Sequence, residues 1–174
     1  MLVGGGGKST TAPGHTPWWA TSGWAHPCVD GVEDATITAV RHEASPPPLQ
    51  IRALFTFTPP LDQRPSGWGG QFGDAYGVYP DFDGRTDVGT NGGHASRDLP
   101  VTIDVPCSDH PAPDNGWVEM LTEIKVGRAG TRVEVTHVDY EAGGRKYTLE
   151  YRWQTILCGD AIDDRDMCQA QRVD

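Results

Sequence analysis

The sequence predicts an all-β fold, an antiparallel β-sandwich of immunoglobulin-like architecture with a flexible N-terminal tail. Three observations predict it. "LQIRALFTF" puts Leu49, Ile51, Ala53, Phe55 and Phe57 on one face, with Gln50, Arg52 and Thr56 on the other. That period of two over nine residues belongs to a strand with one buried face. Near the C-terminus, "GWVEMLTEIKV", "TRVEVTHVDY" and "RKYTLEYRWQTILC" are joined by "GRAG" and "EAGG". Those connections supply the positive-φ residues of tight hairpins, so the three segments form a meander. No segment carries a long apolar period of 3.6. Six or seven strands with short Gly/Pro turns suit two packed sheets.

In chain order, residues 1–27 read as the tail. Five glycines precede Thr16, and "TPWWATSGWAHPC" shows neither period. The disulfide-stapled domain is expected over residues 28–174. "ATITAV" is β-branched and strand-like, and "SPPP" after it cannot continue a helix or sit inside a sheet. Residues 58–98 are a glycine-rich excursion with scattered aromatics and one short strand near Tyr76 to Tyr79. Loops of that length are usually functional or mobile. "LPVTIDVPC" resumes alternation, with Val101, Ile103 and Val105 inward. In the last strand, Tyr147, Leu149, Tyr151, Trp153, Thr155 and Leu157 share a face.

The 174 residues carry 14 Lys+Arg against 24 Asp+Glu, a formal charge of −10. This argues against nucleic acid and against an anionic membrane surface, both of which need a positive footprint. No apolar run approaches the length of a membrane-spanning helix. Cys28, Cys107, Cys158 and Cys168 form no metal-binding or C-x-x-C spacing. An even count in a chain with 22 Gly and 14 Pro points to two disulfides and an oxidising, extracellular location. Three pairings are formally open. Cys158–Cys168 closes a short loop, and Cys28–Cys107 ties the tail's end to the domain. "MLVGG" has the look of a signal-peptide stub, as in a mature form or a chain whose true start lies upstream.

Motifs for catalysis are absent. "GGGGKST" lacks the first glycine of a P-loop, because that position is Leu2. His42-Glu43 begins like a zinc-protease motif, but Pro46 stands where the second histidine belongs. Ser22, Ser66, Ser96 and Ser108 sit in no nucleophile motif. "DFDGRTD" offers Asp81, Asp83 and Asp87 as hard oxygen ligands for calcium, against the plainer reading of a polar Asp-Gly turn. No other cofactor is expected. Trp18, Trp19 and Trp24 accompany the tail, and Trp68, Phe72 and Tyr76 lie in the excursion. Exposed aromatics serve as contact anchors; the alternative for Trp18 and Trp19 is that they fold back onto the sandwich.

The favoured reading is a secreted, non-enzymatic binding protein that uses its tail (Lys8, Trp18, Trp19, Trp24) and excursion as contact elements. A carbohydrate-binding module using Trp68, Phe72 and Tyr76, with calcium at the three aspartates, is the alternative. A hydrolase with a dispersed active site is third. The layout of glycine tail, "HPC" and cysteine-stapled β domain is similar to small secreted proteins of actinobacteria. Arg outnumbers Lys eleven to three and Asn occurs twice, as in high-GC genomes. The layout resembles in particular the adaptor subunits of streptomycete umbrella toxin particles. That resemblance implies lectin-like and repeat-built protein partners. The segment from Lys8 to Trp24 would meet the lectin-like subunit, and the β domain would meet the stalk.

Overall fold

The computed structural model describes residues 6–11, 17–64, 78–79, 94–109, 116–162 and 168. Eleven strands fall within them: β1 Gly6–Thr11, β2 Trp18–Ala25, β3 Ala35–Ser45, β4 Gln50–Thr58, β5 Val78–Tyr79, β6 His94–Ser96, β7 Val101–Ile103, β8 Trp117–Val126, β9 Thr131–Ala142, β10 Arg145–Tyr151 and β11 Trp153–Cys158. They make two packed sheets, an all-β sandwich. The six-stranded sheet runs β1-β11-β9-β3-β7, with β10 also on β9, and the five-stranded sheet runs β5-β2-β8-β4-β6. Its central trios, β2-β8-β4 and β3-β9-β11, reproduce the two-sheet strand order of an immunoglobulin-type Greek key. All pairings between these strands are antiparallel except β1 with β11, where Gly6 faces Trp153 and Thr11 faces Cys158.

Local chemistry sets the connections. Gly143 and Gly144, at φ 55° and 73°, make the two-residue turn between β9 and β10. Gly130, at φ 75°, takes the β8–β9 turn past the backbone of Leu157 and Gly159, where a side chain has no room. The same turn accepts the Asp160 and Ala161 amides on its Arg128 and Ala129 carbonyls, at 2.9 and 3.0 Å. Cys28–Cys107 and Cys158–Cys168 are both bonded, so the two-disulfide expectation and its oxidising environment hold.

The interior is layered. Ile37, Phe55, Val118, Met120 and Val138 form one apolar cluster, and Trp18, Ala20, Ile124, Val126, Val133 and Leu157 form another. A polar belt crosses the strands between them. Ser22 lies between Ala20 and Ala25 on β2, Thr122 between Met120 and Ile124 on β8, His42 between Val40 and Ala44 on β3, and Thr136 between Val133 and Val138 on β9. Ser22 Oγ meets Thr155 Oγ1 at 2.5 Å, joining the two sheets through the belt.

The sandwich begins earlier than residue 28. Trp18 is 0% and Trp19 2% exposed, and β2 is an inner strand paired to β8 on one side and β5 on the other. Tail and domain therefore do not divide at residue 27. The two side chains point to opposite faces of a sheet buried on both, and hydrophobic burial holds each where it sits. Gly6–Thr11 likewise pairs with the sheet as a strand.

Candidate interaction surface

Two of the residues singled out as contact anchors, Trp18 and Trp19, are interior. The first belongs to the core between the sheets. The second packs with Leu54 and Leu121 on the outer face of the five-stranded sheet. A fully buried indole presents no surface to a partner, and this corrects their reading as docking residues. Lys8 lies on β1 opposite Thr155, and Trp24 lies on β2, but neither side chain is among those described. Trp68, Phe72, Tyr76, Asp81, Asp83 and Asp87 lie outside the described residues, so neither the aromatic platform nor the calcium loop is tested. Among the described residues no cluster of His, Cys, Asp and Glu is arranged to hold a metal ion.

The outer face of the five-stranded sheet is charged yet buried. Glu123 is 0% exposed on β8. Its Oε2 accepts from Arg52 Nε at 2.7 Å and from Arg97 Nε at 2.6 Å, and its Oε1 accepts from Arg97 Nη2 at 2.7 Å. Two guanidinium groups on one carboxylate make this burial tolerable, since an uncompensated charge there is costly. Arg52 also stands 4.7 Å above the Trp19 ring, with Lys125 at 5.4 Å, so the indole is held by cation–π contacts. Four residues back along β8, Glu119 is buried beside Thr56, whose hydroxyl donates to it at 3.4 Å. Burial pushes the Glu119 carboxyl above its ordinary range, opposed by the Thr56 hydrogen bond.

The second perturbed group lies elsewhere. His42 faces the interior belt, with Nδ1 2.9 Å from Thr136 Oγ1 and Nε2 buried without a partner. Burial lowers its pKa to about 4, helped by the neighbouring His137. If the ring keeps its proton on Nδ1, donated to Thr136, only a bare lone pair is left on Nε2, the cheaper of the two arrangements. Glu119 and His42 thus sit on opposite sides of the five-stranded sheet and share no cleft. An acid–base pair needs both groups within reach of one substrate.

The six-stranded sheet differs. Its outer face carries exposed ion pairs: Arg41 forks onto Asp139 at 2.8 and 3.1 Å, His137 Nε2 meets Glu43 at 2.7 Å, and Thr148 donates to Asp139 at 2.6 Å. Asp139 is held below the usual carboxylate range, first by the Arg41 hydrogen bond and then by that of Thr148. Its edges are only half covered. β1 pairs with Trp153–Cys158 and β7 pairs with Ala35–Ile37, at diagonally opposite corners. Among the described residues, nothing pairs with the side of β10 away from β9, or with the side of β3 away from β9 beyond Ile37. Unpaired edges offer rows of N–H and C=O groups to another extended chain. The β10 edge bears Arg145, Lys146 and Tyr147, the last 44% exposed and stacked on Tyr140 at 5.2 Å. Nothing but pairing reveals these edges, and their signal in sequence is only the shortness of β7 against β3. No protein-family model, curated protein or solved structure matches this chain.

Proposed function

We propose that this chain is a secreted, non-enzymatic binding protein, an adaptor subunit of an extracellular assembly. In this reading it receives an extended segment of its partner along the β10 edge. The observation that carries it is the seven-residue stretch Arg145–Tyr151, which pairs with β9 on one side and with no described strand on the other. Main-chain groups there supply affinity, and alternate side chains supply selectivity. Arg145, Lys146 and exposed Tyr147 give this edge a basic, aromatic character on a molecule of net charge −10, which favours an acidic segment. Two disulfides support an oxidising, extracellular setting. β1 lies in line with this edge, so the N-terminal segment remains a contact element through its backbone and not through Trp18 and Trp19. The resemblance to toxin-particle adaptors agrees with such a role.

The test is recovery of the assembly from native culture medium with tagged protein. Wild type should bring a stoichiometric partner. Arg145→Glu/Lys146→Glu should lose it with an unchanged melting temperature; separately, removal of residues 1–14, which also takes away β1, should lose it while circular dichroism shows the remaining sandwich folded at a lowered melting temperature. Full recovery by both variants, or wild type recovered alone, contradicts the proposal.

A further inference from the structure

The second open edge is self-complementary. Beyond the irregularity between Ile37 and Ala39, β3 alternates from Ala39 to Ser45; the second register shift, between Glu43 and Ala44, takes its extra residue, Glu134, from β9, and Pro46 then ends the ladder. On this stretch Val40, His42 and Ala44 face the interior, and Ala39, Arg41, Glu43 and Ser45 face out. Arg41 and Glu43 are well exposed, their side chains 58% and 62% accessible. We infer that this edge pairs with the same edge of a second copy, antiparallel about a two-fold axis through His42, to make a continuous sheet across a homodimer.

The register follows from two requirements. A two-fold antiparallel pair that keeps interior faces with interior faces must set odd residues against odd ones and even against even. Only registers centred on a residue meet this condition. Centring on Arg41 sets Arg41 against its own copy, and centring on Glu43 sets Glu43 against its own copy. Like charges directly opposite are destabilising. Centring on His42 sets Arg41 against the second copy's Glu43, twice by symmetry. It also sets Val40 against Ala44 and Ala39 against Ser45.

The intrachain ion pairs extend this match. Asp139 already grips Arg41, and His137 already grips Glu43. In the dimer each outer row therefore reads Asp139, Arg41, then Glu43 and His137 of the second copy, with donors and acceptors alternating across four strands. Ala39–Ser45 is bounded by the β-bulge at one end and Pro46 at the other, so both copies reach the end of the ladder together. Charges, bulges and proline are also the devices that protect edges from indiscriminate pairing. Here they leave one register open and penalise its neighbours.

The purified chain alone tests this, so the outcome is independent of the adaptor reading. Sedimentation velocity over a concentration series should show a species of twice 18.9 kDa. Arg41→Glu alone, or Glu43→Arg alone, should weaken dimerisation by about tenfold or more, since each turns two attractive pairs repulsive. The combined Arg41→Glu/Glu43→Arg variant should recover it. Mixing Arg41→Cys with Glu43→Cys under mild oxidation should give covalent heterodimer in excess over either variant alone. Circular dichroism and melting curves confirm that each variant is folded, as expected for exposed positions. A monomer at every concentration, a dimer indifferent to both single reversals, or no excess heterodimer overturns the inference.

Discussion

The two sheets of this sandwich solve the same packing problem with opposite consequences. The five-stranded sheet is buried on both faces around β8, and β5 and β6 flank it at either edge. Even its charges are interior, with Glu123 held between Arg52 and Arg97. The six-stranded sheet buries one face, exposes a lattice of ion pairs on the other, and leaves the sides of β10 and of most of β3 that face away from β9 without a partner among the described residues. A buried charge network makes a sheet stiff and intolerant of change. Exposed pairs and open edges cost little stability to alter, so that is where recognition can be built. Stability resides in the first sheet, and the interactions proposed above use the second.

Glu123→Ala should break the contrast most severely. Removing the shared carboxylate leaves Arg52 and Arg97 facing each other in a buried site, at a cost of about 3–5 kcal/mol. Chemical denaturation measures it, and a loss below about 1 kcal/mol would refute the interior assignment. Next in size is the acid dependence of the belt between the sheets. The folded-state pKa of His42 lies near 4, below its ordinary 6.5, so the unfolded chain binds the extra proton first. Its contribution is fully present above pH 6.5 and is lost as the pH falls toward 4, on the order of 3 kcal/mol. Glu119 acts in the opposite sense: its raised pKa favours the fold at low pH and weakens it as the carboxylate ionises. Melting curves from pH 7 to 4 should flatten in His42→Gln, and Glu119→Gln should be slightly stabilising at pH 7. A steep His42→Gln profile identical to wild type would place the titration elsewhere. The smallest effect belongs to the exposed face, where Asp139→Asn should leave the melting temperature within experimental scatter despite the loss of its Arg41 fork.

Legibility in the sequence follows the same division. Strands whose polar and apolar residues alternate announced themselves: β9 and β10 keep a solvated face, β4 alternates in sequence although Leu54 and Thr56 on its outer face are also buried, and the Gly143-Gly144 turn marks its hairpin. β2 did not, because a strand buried on both faces has no alternation to show. "WWATSGWA" puts Trp18 on one face and Trp19 on the other, so adjacent aromatics suggested a sticky tail instead of a strand. β1 is unreadable for another reason, since Gly6 and Gly7 carry no side-chain pattern and only backbone pairing to β11 defines it. The Glu123 cluster was equally hidden. Its arginines come from 71 and 26 residues away, and only the folded topology brings them to one carboxylate. The unpaired edges are a property of strand pairing and have no counterpart in any one segment.

Amide hydrogen exchange, compared between the dilute isolated chain and its associated states, tests the division of labour most directly, because edge pairing protects main-chain N–H groups. The account predicts new protection in Thr38–Ser45 on self-association and in Arg145–Tyr151 on partner binding, with Trp117–Val126 on β8 unchanged in both. Protection gained on β8 or β2 while both edges continue to exchange as in the isolated chain would contradict it.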